Sequence, residues 1–224
     1  MENSNTFNTE YFMREFISVV KNTFKNRVVF IGLQGSRARK EETQNSDIDT
    51  VVILDNLSFD DLLLYKATIK NLPHRDKICG FISGKNELIN WEKSELFQFY
   101  YDSVPYIGNL DFIKEIITGD DIKHSIKTGA CGIYHACCHN TLHENSNDIL
   151  KELLKSAVIT IQAMVFLRSG KYIKSKNELL SYSKDTEKEI INLYLISRNP
   201  EEKPLDLNTV SKALFDFSNK LLNI

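Results

Sequence analysis

Residues 28–54 read V-V-F-I-G-L-Q-G-S-R-A-R-K-E-E-T-Q-N-S-D-I-D-T-V-V-I-L. The run from Val28 to Leu33 is apolar and rich in β-branched residues, which predicts a buried strand. Residues 34–46 are polar and hold Gly35 near their start, so a loop follows, with room for a helical turn. Ile48 to Leu54 predicts a second strand, apolar on both faces beyond Asp49 and therefore central in its sheet. Strand, Gly-Ser turn, polar loop and Asp-Ile-Asp at a strand start form one unit, and each part has a chemical use. Gly35 lacks a side chain, so backbone N–H groups can approach phosphate oxygens closely, and the Ser36 hydroxyl adds a donor. Arg37 and Arg39 stand where a guanidinium can meet a phosphate or a nearby carboxylate. Asp47 and Asp49, two apart on extended chain, project from one face about 7 Å apart. Two carboxylates so spaced suit one or two hard cations whose other ligands are water and phosphate oxygens.

On the N-terminal side, Phe12, Phe16, Val19, Val20 and Phe24 recur at helical spacing and predict an amphipathic helix over about residues 9–26. On the C-terminal side, Ser58 and Asp61 form a capping pair for a helix reaching about residue 70. Lys77 to Ser83 predicts a third strand, and Gly84 opens a loop carrying Trp91. Residues 96–101 are aromatic and suit either a strand or a short helix. After Asn109 the apolar spacing is helical nearly to the end. Helices are expected over 110–118, 128–144, 147–168, 175–196 with a break near Ser183, and 206–222. The expected fold class is α+β, with an α/β domain built on a small mixed sheet over residues 1–110 and a helical bundle over 111–224.

The formal net charge of the 224-residue chain is -2, so no global basic field points to nucleic acid. No stretch approaches the roughly 20 apolar residues of a membrane span. Residues 1–9 lack a basic-then-apolar signal pattern, and a cytoplasmic location is expected. The four cysteines, Cys79, Cys131, Cys137 and Cys138, form no regular framework and are expected as thiols. Cys131, His135, His139 and His143 fall at four-residue steps, a stripe along one helix face. Adjacent histidines suit one ion, but the full stripe spans about 18 Å, too far for a single site. Some of these residues are expected in the core and others lining a cleft.

G-S-R-A-R followed by S-D-I-D resembles the signature of the polymerase-β-like nucleotidyltransferase superfamily, most closely the bacterial aminoglycoside adenylyltransferases of the streptomycin/spectinomycin type. The signature covers residues 28–54, and N-E-L-I-N-W-E-K-S-E-L-F-Q-F-Y at 86–100 is similar to a Trp-containing stretch of those enzymes. The resemblance implies transfer of a nucleoside monophosphate, AMP from ATP or its counterpart from another triphosphate, to a hydroxyl of a small-molecule acceptor such as an aminoglycoside. It implies Asp47 and Asp49 as catalytic ligands of Mg²⁺ or Mn²⁺, with Gly35, Ser36, Arg37 and Ser46 at the nucleotide. The family adds a third carboxylate on a later strand. The position aligned with it here is Cys79, a soft ligand. Asp76 at the strand start, or Glu87 or Asp102 from loops, are the acids available to replace it; a substrate, water or helical-domain residue taking the proton is the other route. Related two-domain enzymes bring a cation from the second domain, and Lys171, Lys174 and Lys176 are candidates. A polycationic acceptor would need an acidic pocket, for which Glu92, Glu95, Asp102, Asp111, Glu115, Asp120 and Asp121 are at hand. Loss of the third acid keeps a second reading open, a nucleotide-binding regulatory module without turnover. A protein-modifying transferase of the toxin–antitoxin kind is a third. Monomer and homodimer are equally compatible with the sequence.

Overall fold

The apolar runs on either side of the Gly-Ser turn form strands with the bounds their sequence predicts, Val28–Leu33 (β1) and Ile48–Leu54 (β2), in a computed structural model that describes residues 7–43, 46–199 and 206–223. The two strands pair antiparallel, with Leu33 opposite Thr50. Ile78–Gly84 (β3) runs parallel to β2, Ile48 opposite Ile78 and Leu54 opposite Gly84. A fourth strand, Val104–Ile107 (β4), pairs antiparallel with β1, giving the order β3-β2-β1-β4. The sheet is mixed and β2 lies inside it, as its two apolar faces require. The fourth strand escapes sequence reading. It has four residues and contains Pro105, which lacks a ladder N–H and is tolerated at a sheet edge.

The chain divides into two compact units, Met1–Ile116 and Ile117–Ile224. In the first, helix α1 (Thr9–Phe24) starts where the Asn8 side chain accepts from Tyr11 N–H. It lays Phe12, Met13, Phe16 and Val20 on Ile31, Leu33, Ile48 and Val52 of the sheet. A short helix α2 (Gly35–Arg39) occupies the start of the predicted loop. Helix α3 (Phe59–Thr68) opens with the expected capping box of Ser58 and Asp61. Asp61 also takes a two-pronged bond from the Arg27 guanidinium, at 2.7 and 3.0 Å. Residues after Gly84 fold as helix α4 (Lys85–Ile89) rather than as loop. The ambiguous aromatic run is helical, α5 (Lys93–Asp102), capped by Glu92 and burying Leu96 and Phe97. Phe81 of β3 meets Phe99 of α5 at 5.2 Å and Trp91 at 5.8 Å between ring centres, on the sheet face opposite α1. Helix α6 (Asp111–Lys114) closes this unit.

The second unit is helical. Helix α7 (Gly119–His139) begins well before residue 128, because Thr118 and Asp121 form a capping box that the spacing argument overlooked. A π turn, Asn140–Glu144, ends it. Helix α8 (Asn147–Ser169) is capped by Gly170 in the left-handed region. The long pattern over 175–196 breaks at Ser183 into α9 (Lys176–Tyr182) and α10 (Asp185–Ser197), and α11 (Leu207–Leu222) follows. Ile133, Leu154, Val158, Ile161, Leu179, Ile190, Val210 and Leu214 form the shared core. Glu187, 2% exposed, anchors α10 to α8 through two bonds from Arg168 at 2.8 and 2.7 Å. Among the described residues no helix is long and apolar enough to cross a membrane.

Candidate active site

The sheet registers set side chains from four segments in one row at the end of the sheet where β1 finishes and β2 begins. Asp49 is paired with Cys79 of β3. On its other side the Asp49 carbonyl accepts the Gln34 N–H at 2.8 Å. Gln34 reaches onward, its amide donating to Phe99 O at 3.0 Å and to Ser103 Oγ at 2.9 Å. Side chains alternate along a strand. Because Ile48, Ile78 and Leu33 face α1, Asp49, Cys79 and Gln34 face the α5 side.

Gly35 takes φ +71°, a conformation that favours glycine. A Cβ built on it would fall onto Oδ2 of Asp49. The turn and the carboxylate are therefore in contact through a space that only glycine leaves open. Arg37 is 4% exposed. Its Nε donates to Asp47 O at 2.9 Å and its Nη2 to Ser46 O at 2.7 Å, while its guanidinium lies 4.1 Å from the Phe7 ring centre. Its cationic head is thus engaged with the backbone of the acidic segment, as a strut beneath Asp47 and Ser46. The Ser46 hydroxyl closes the turn by accepting from Thr43 N–H at 2.9 Å. Arg39 bonds Glu41 at 3.0 Å and stands 3.8 Å from Asp102, with both Arg39 and Asp102 largely buried.

Asp47 is exposed and Asp49 half-buried. Their oxygen donors suit a hard cation, and the Gly35 cradle holds one of them still. Among the described residues no group of three or more His, Cys, Asp and Glu gathers as a metal site, so a cation held by the pair would take most of its ligands from water and phosphate. The register places Cys79, an exposed thiol, beside Asp49.

The acids considered as replacements lie differently. Asp76 sits exposed in a 3₁₀ turn, Arg75–Lys77, ahead of β3 and outside the ladder. Glu87 lies over Gly84, opposite Leu54 at the far end of β2. Only Asp102 is tied to the loop after β1, through Arg39.

Residues 18–99 match the family described as polymerase beta, nucleotidyltransferase. This segment is a polymerase-β-type nucleotidyltransferase domain. The matched residues run from α1 into α5 and include Gln34, Asp47, Asp49 and Cys79. Among solved structures, spectinomycin adenyltransferase AAD(9) from Enterococcus faecialis, determined with ATP and spectinomycin, matches with a TM-score of 0.62 at 14% identity over 96% of this chain and 99% of that one. The likeness is one of fold, and it extends over the helical half as well as the nucleotidyltransferase domain. A nucleotidyltransferase-like protein from Exiguobacterium sibiricum 255-15 gives a TM-score of 0.34 at 8% identity over 95% of this chain and 74% of that one. No curated protein matches the sequence.

In the second unit, Lys176 is turned inward, its ammonium donating to Gln162 at 2.8 Å. Lys171 is exposed and Lys174 half-buried in the segment joining α8 to α9. The acidic residues expected to line a pocket are largely used in local structure. Glu92 caps α5, Glu95 accepts from the Trp91 indole at 2.7 Å, Asp120 pairs with Lys123, and Asp121 caps α7. Of the Cys and His stripe, Cys131, His135, His139 and His143 are exposed. Cys137, off the stripe, is the buried thiol; it donates to Ser211 O at 3.3 Å, and burial pushes its pKa up. Sequence reading missed Gln34, whose amide ties the glycine turn to α5. Its sole signal is a polar residue ending an otherwise apolar strand.

Proposed function

We propose that this chain transfers a nucleoside monophosphate, AMP from ATP, to a hydroxyl of a small-molecule acceptor of the aminoglycoside class, with Mg²⁺ or Mn²⁺ as the cation. The observation that carries the reading is the contact of Gly35 with the Asp49 carboxylate. A side-chain-free turn presents backbone N–H donors to phosphate, yet here it lies directly on an anion. Phosphate and carboxylate repel unless a cation stands between them, so a phosphate bound at this turn would call for a metal ion beside Asp49. Asp47 and Asp49 would hold that cation, which supplies charge neutralisation to the triphosphate when bound. The N–H groups after Gly35 and the Ser36 hydroxyl bind phosphate oxygens. Arg37 holds the acidic segment in place from beneath, and Ser46 closes its turn. The acceptor oxygen bonds to the α-phosphorus as the bond to pyrophosphate breaks. The hydroxyl proton passes to solvent or to Asp102, the acid tied to this loop. The spectinomycin adenyltransferase fold match supports ATP and the acceptor class.

Calorimetric titration of ATP with and without Mg²⁺, on wild type and Asp49→Asn, tests the site, and mass spectrometry of ATP with an aminoglycoside panel tests the acceptor. Mg²⁺-dependent binding lost in Asp49→Asn is expected. Binding indifferent to both Mg²⁺ and Asp49 would refute the proposal. Cys79 beside Asp49 favours one other reading, a nucleotide-binding regulator without turnover. Mg²⁺-dependent binding with no pyrophosphate released across the acceptor panel would select it.

A further inference from the structure

We infer that His139 and His143 form a two-histidine chelate for a borderline divalent metal ion, Zn²⁺ being the reference case, on the exposed face where α7 passes into its π turn. The inference is independent of nucleotidyl transfer. His135, His139 and His143 have the same sequence spacing, yet the structure treats the two successive pairs differently. The ring centres of His135 and His139, both within regular helix, are 6.4 Å apart. Those of His139 and His143, which bracket the start of the π turn, are 4.9 Å apart.

A Zn–N bond of about 2.0–2.1 Å puts each imidazole centre about 3.2 Å from the ion, so two rings at a near-tetrahedral angle have centres about 5 Å apart. The second pair matches that span. The first pair matches only rings on opposite sides of one ion, which successive helical turns do not offer. The shorter spacing is built in by buried groups. Asn140 is 1% exposed, its side chain accepts from Ser146 N–H at 2.9 Å and donates to Ser146 O at 3.2 Å. Its carbonyl accepts from Asn145 N–H at 2.8 Å, the five-residue reach of a π turn, and Asn145 completes the reversal at φ 52°. The backbone bearing both imidazoles is thus fixed before any ion arrives, which lowers the ordering cost of binding. Imidazole nitrogens select zinc-like ions over Mg²⁺ or Ca²⁺. With two protein ligands, water fills the remaining positions. The ion would clip the turn that joins α7 to α8.

The test is ZnCl₂ titration by calorimetry in a mildly alkaline buffer. It uses the full chain carrying Asp49→Asn and Cys79→Ser, so that donors of the first unit do not compete. One Zn²⁺ per chain is expected, weakened about tenfold or more by His143→Ala and unchanged by His135→Ala, with Zn²⁺ raising the thermal midpoint only while His143 is present. Absence of Zn²⁺ binding, binding that survives His143→Ala, or equal weakening by His135→Ala would overturn the assignment. Circular dichroism of each variant separates lost ligands from lost fold.

Discussion

Gly35→Ala tests the central contact of the site, and Gly170→Ala supplies its control. Both glycines lie in the left-handed region, at φ +71° and +69°. An alanine in that region costs about 1–2 kcal/mol from its own backbone. At Gly170 a Cβ meets nothing within 4 Å, so that strain is the entire expected loss. At Gly35 the new methyl falls on Oδ2 of Asp49, and the carboxylate must move. Displacing a packed group of this kind adds about 1–3 kcal/mol. Gly35→Ala should therefore lose about 2–5 kcal/mol and Gly170→Ala about 1–2 kcal/mol, read from urea unfolding followed by circular dichroism. In calorimetry Gly35→Ala should also weaken Mg²⁺-dependent ATP binding by about tenfold or more, while Gly170→Ala leaves it intact. If Gly35→Ala binds ATP as the wild type does, and its stability falls no further than that of Gly170→Ala, then the Gly35–Asp49 contact organises nothing and the reasoning fails.

Asp49→Asn should abolish the Mg²⁺ dependence of ATP binding, whereas Asp76→Asn, in its exposed turn, should leave the titration unchanged; equal loss in both would restore Asp76 to the site. Arg37→Leu removes two charged hydrogen bonds to the Ser46 and Asp47 carbonyls and should cost about 1.5–3 kcal/mol per group left unpaired, measured by denaturant unfolding, with Arg37→Lys recovering only part because one ammonium cannot span both carbonyls as the fork does. Asp61 is held well below the ordinary carboxylate range by the Arg27 guanidinium and then by Ser58. Its contribution to stability is fully present above the unfolded value, about pH 4, and is lost as pH falls from there through the lower folded value. The thermal midpoint of Asp61→Asn should accordingly lie below that of wild type at neutral pH, and the two should converge as the solution is acidified; parallel curves would disprove the linkage.

The strands flanking the Gly-Ser turn were legible because each carries its own signal, a β-branched run bounded by polar residues. The capping pair Ser58 and Asp61 was legible for the same local reason. What escaped depends on partners distant in sequence. β4 is a strand because β1 offers it an edge, and V-P-Y-I alone says little. The aromatic run after Trp91 has both periods within a few residues, and the Glu92 cap together with burial of Leu96 and Phe97 decides for helix. The stripe of histidines was legible as a stripe, but its uneven spacing arises from the π turn, which has no counterpart in residue periodicity. Arg37 shows the same limit at the candidate site. Its type and place suit a phosphate, and only the fold reveals that its guanidinium is engaged with the chain that carries Asp47.

The polar groups at this end of the sheet divide by what they touch. Gln34, Arg37, Arg39 and Ser46 bond to the protein itself, to α5, to the Asp47 segment, to Glu41 and to Thr43. Asp47 and Cys79 are open to solvent, with Asp49 half-buried between them. In the proposed site a ligand would meet Asp47, Asp49 and Cys79 on a frame already held by these bonds, which limits the reorganisation needed on binding. The sulfur is the odd member of that set. It stands on an edge strand with its side chain exposed, so no packing demand explains it, and a carboxylate in its place would meet no steric objection. The fold around position 79 thus leaves the choice between thiol and acid to the chemistry of the site, and a hard cation held by Asp47 and Asp49 would bypass the sulfur. In the proposed transferase a base for the acceptor proton would come from outside β3, and the carboxylate that the Arg39 bridge ties to the glycine turn is Asp102.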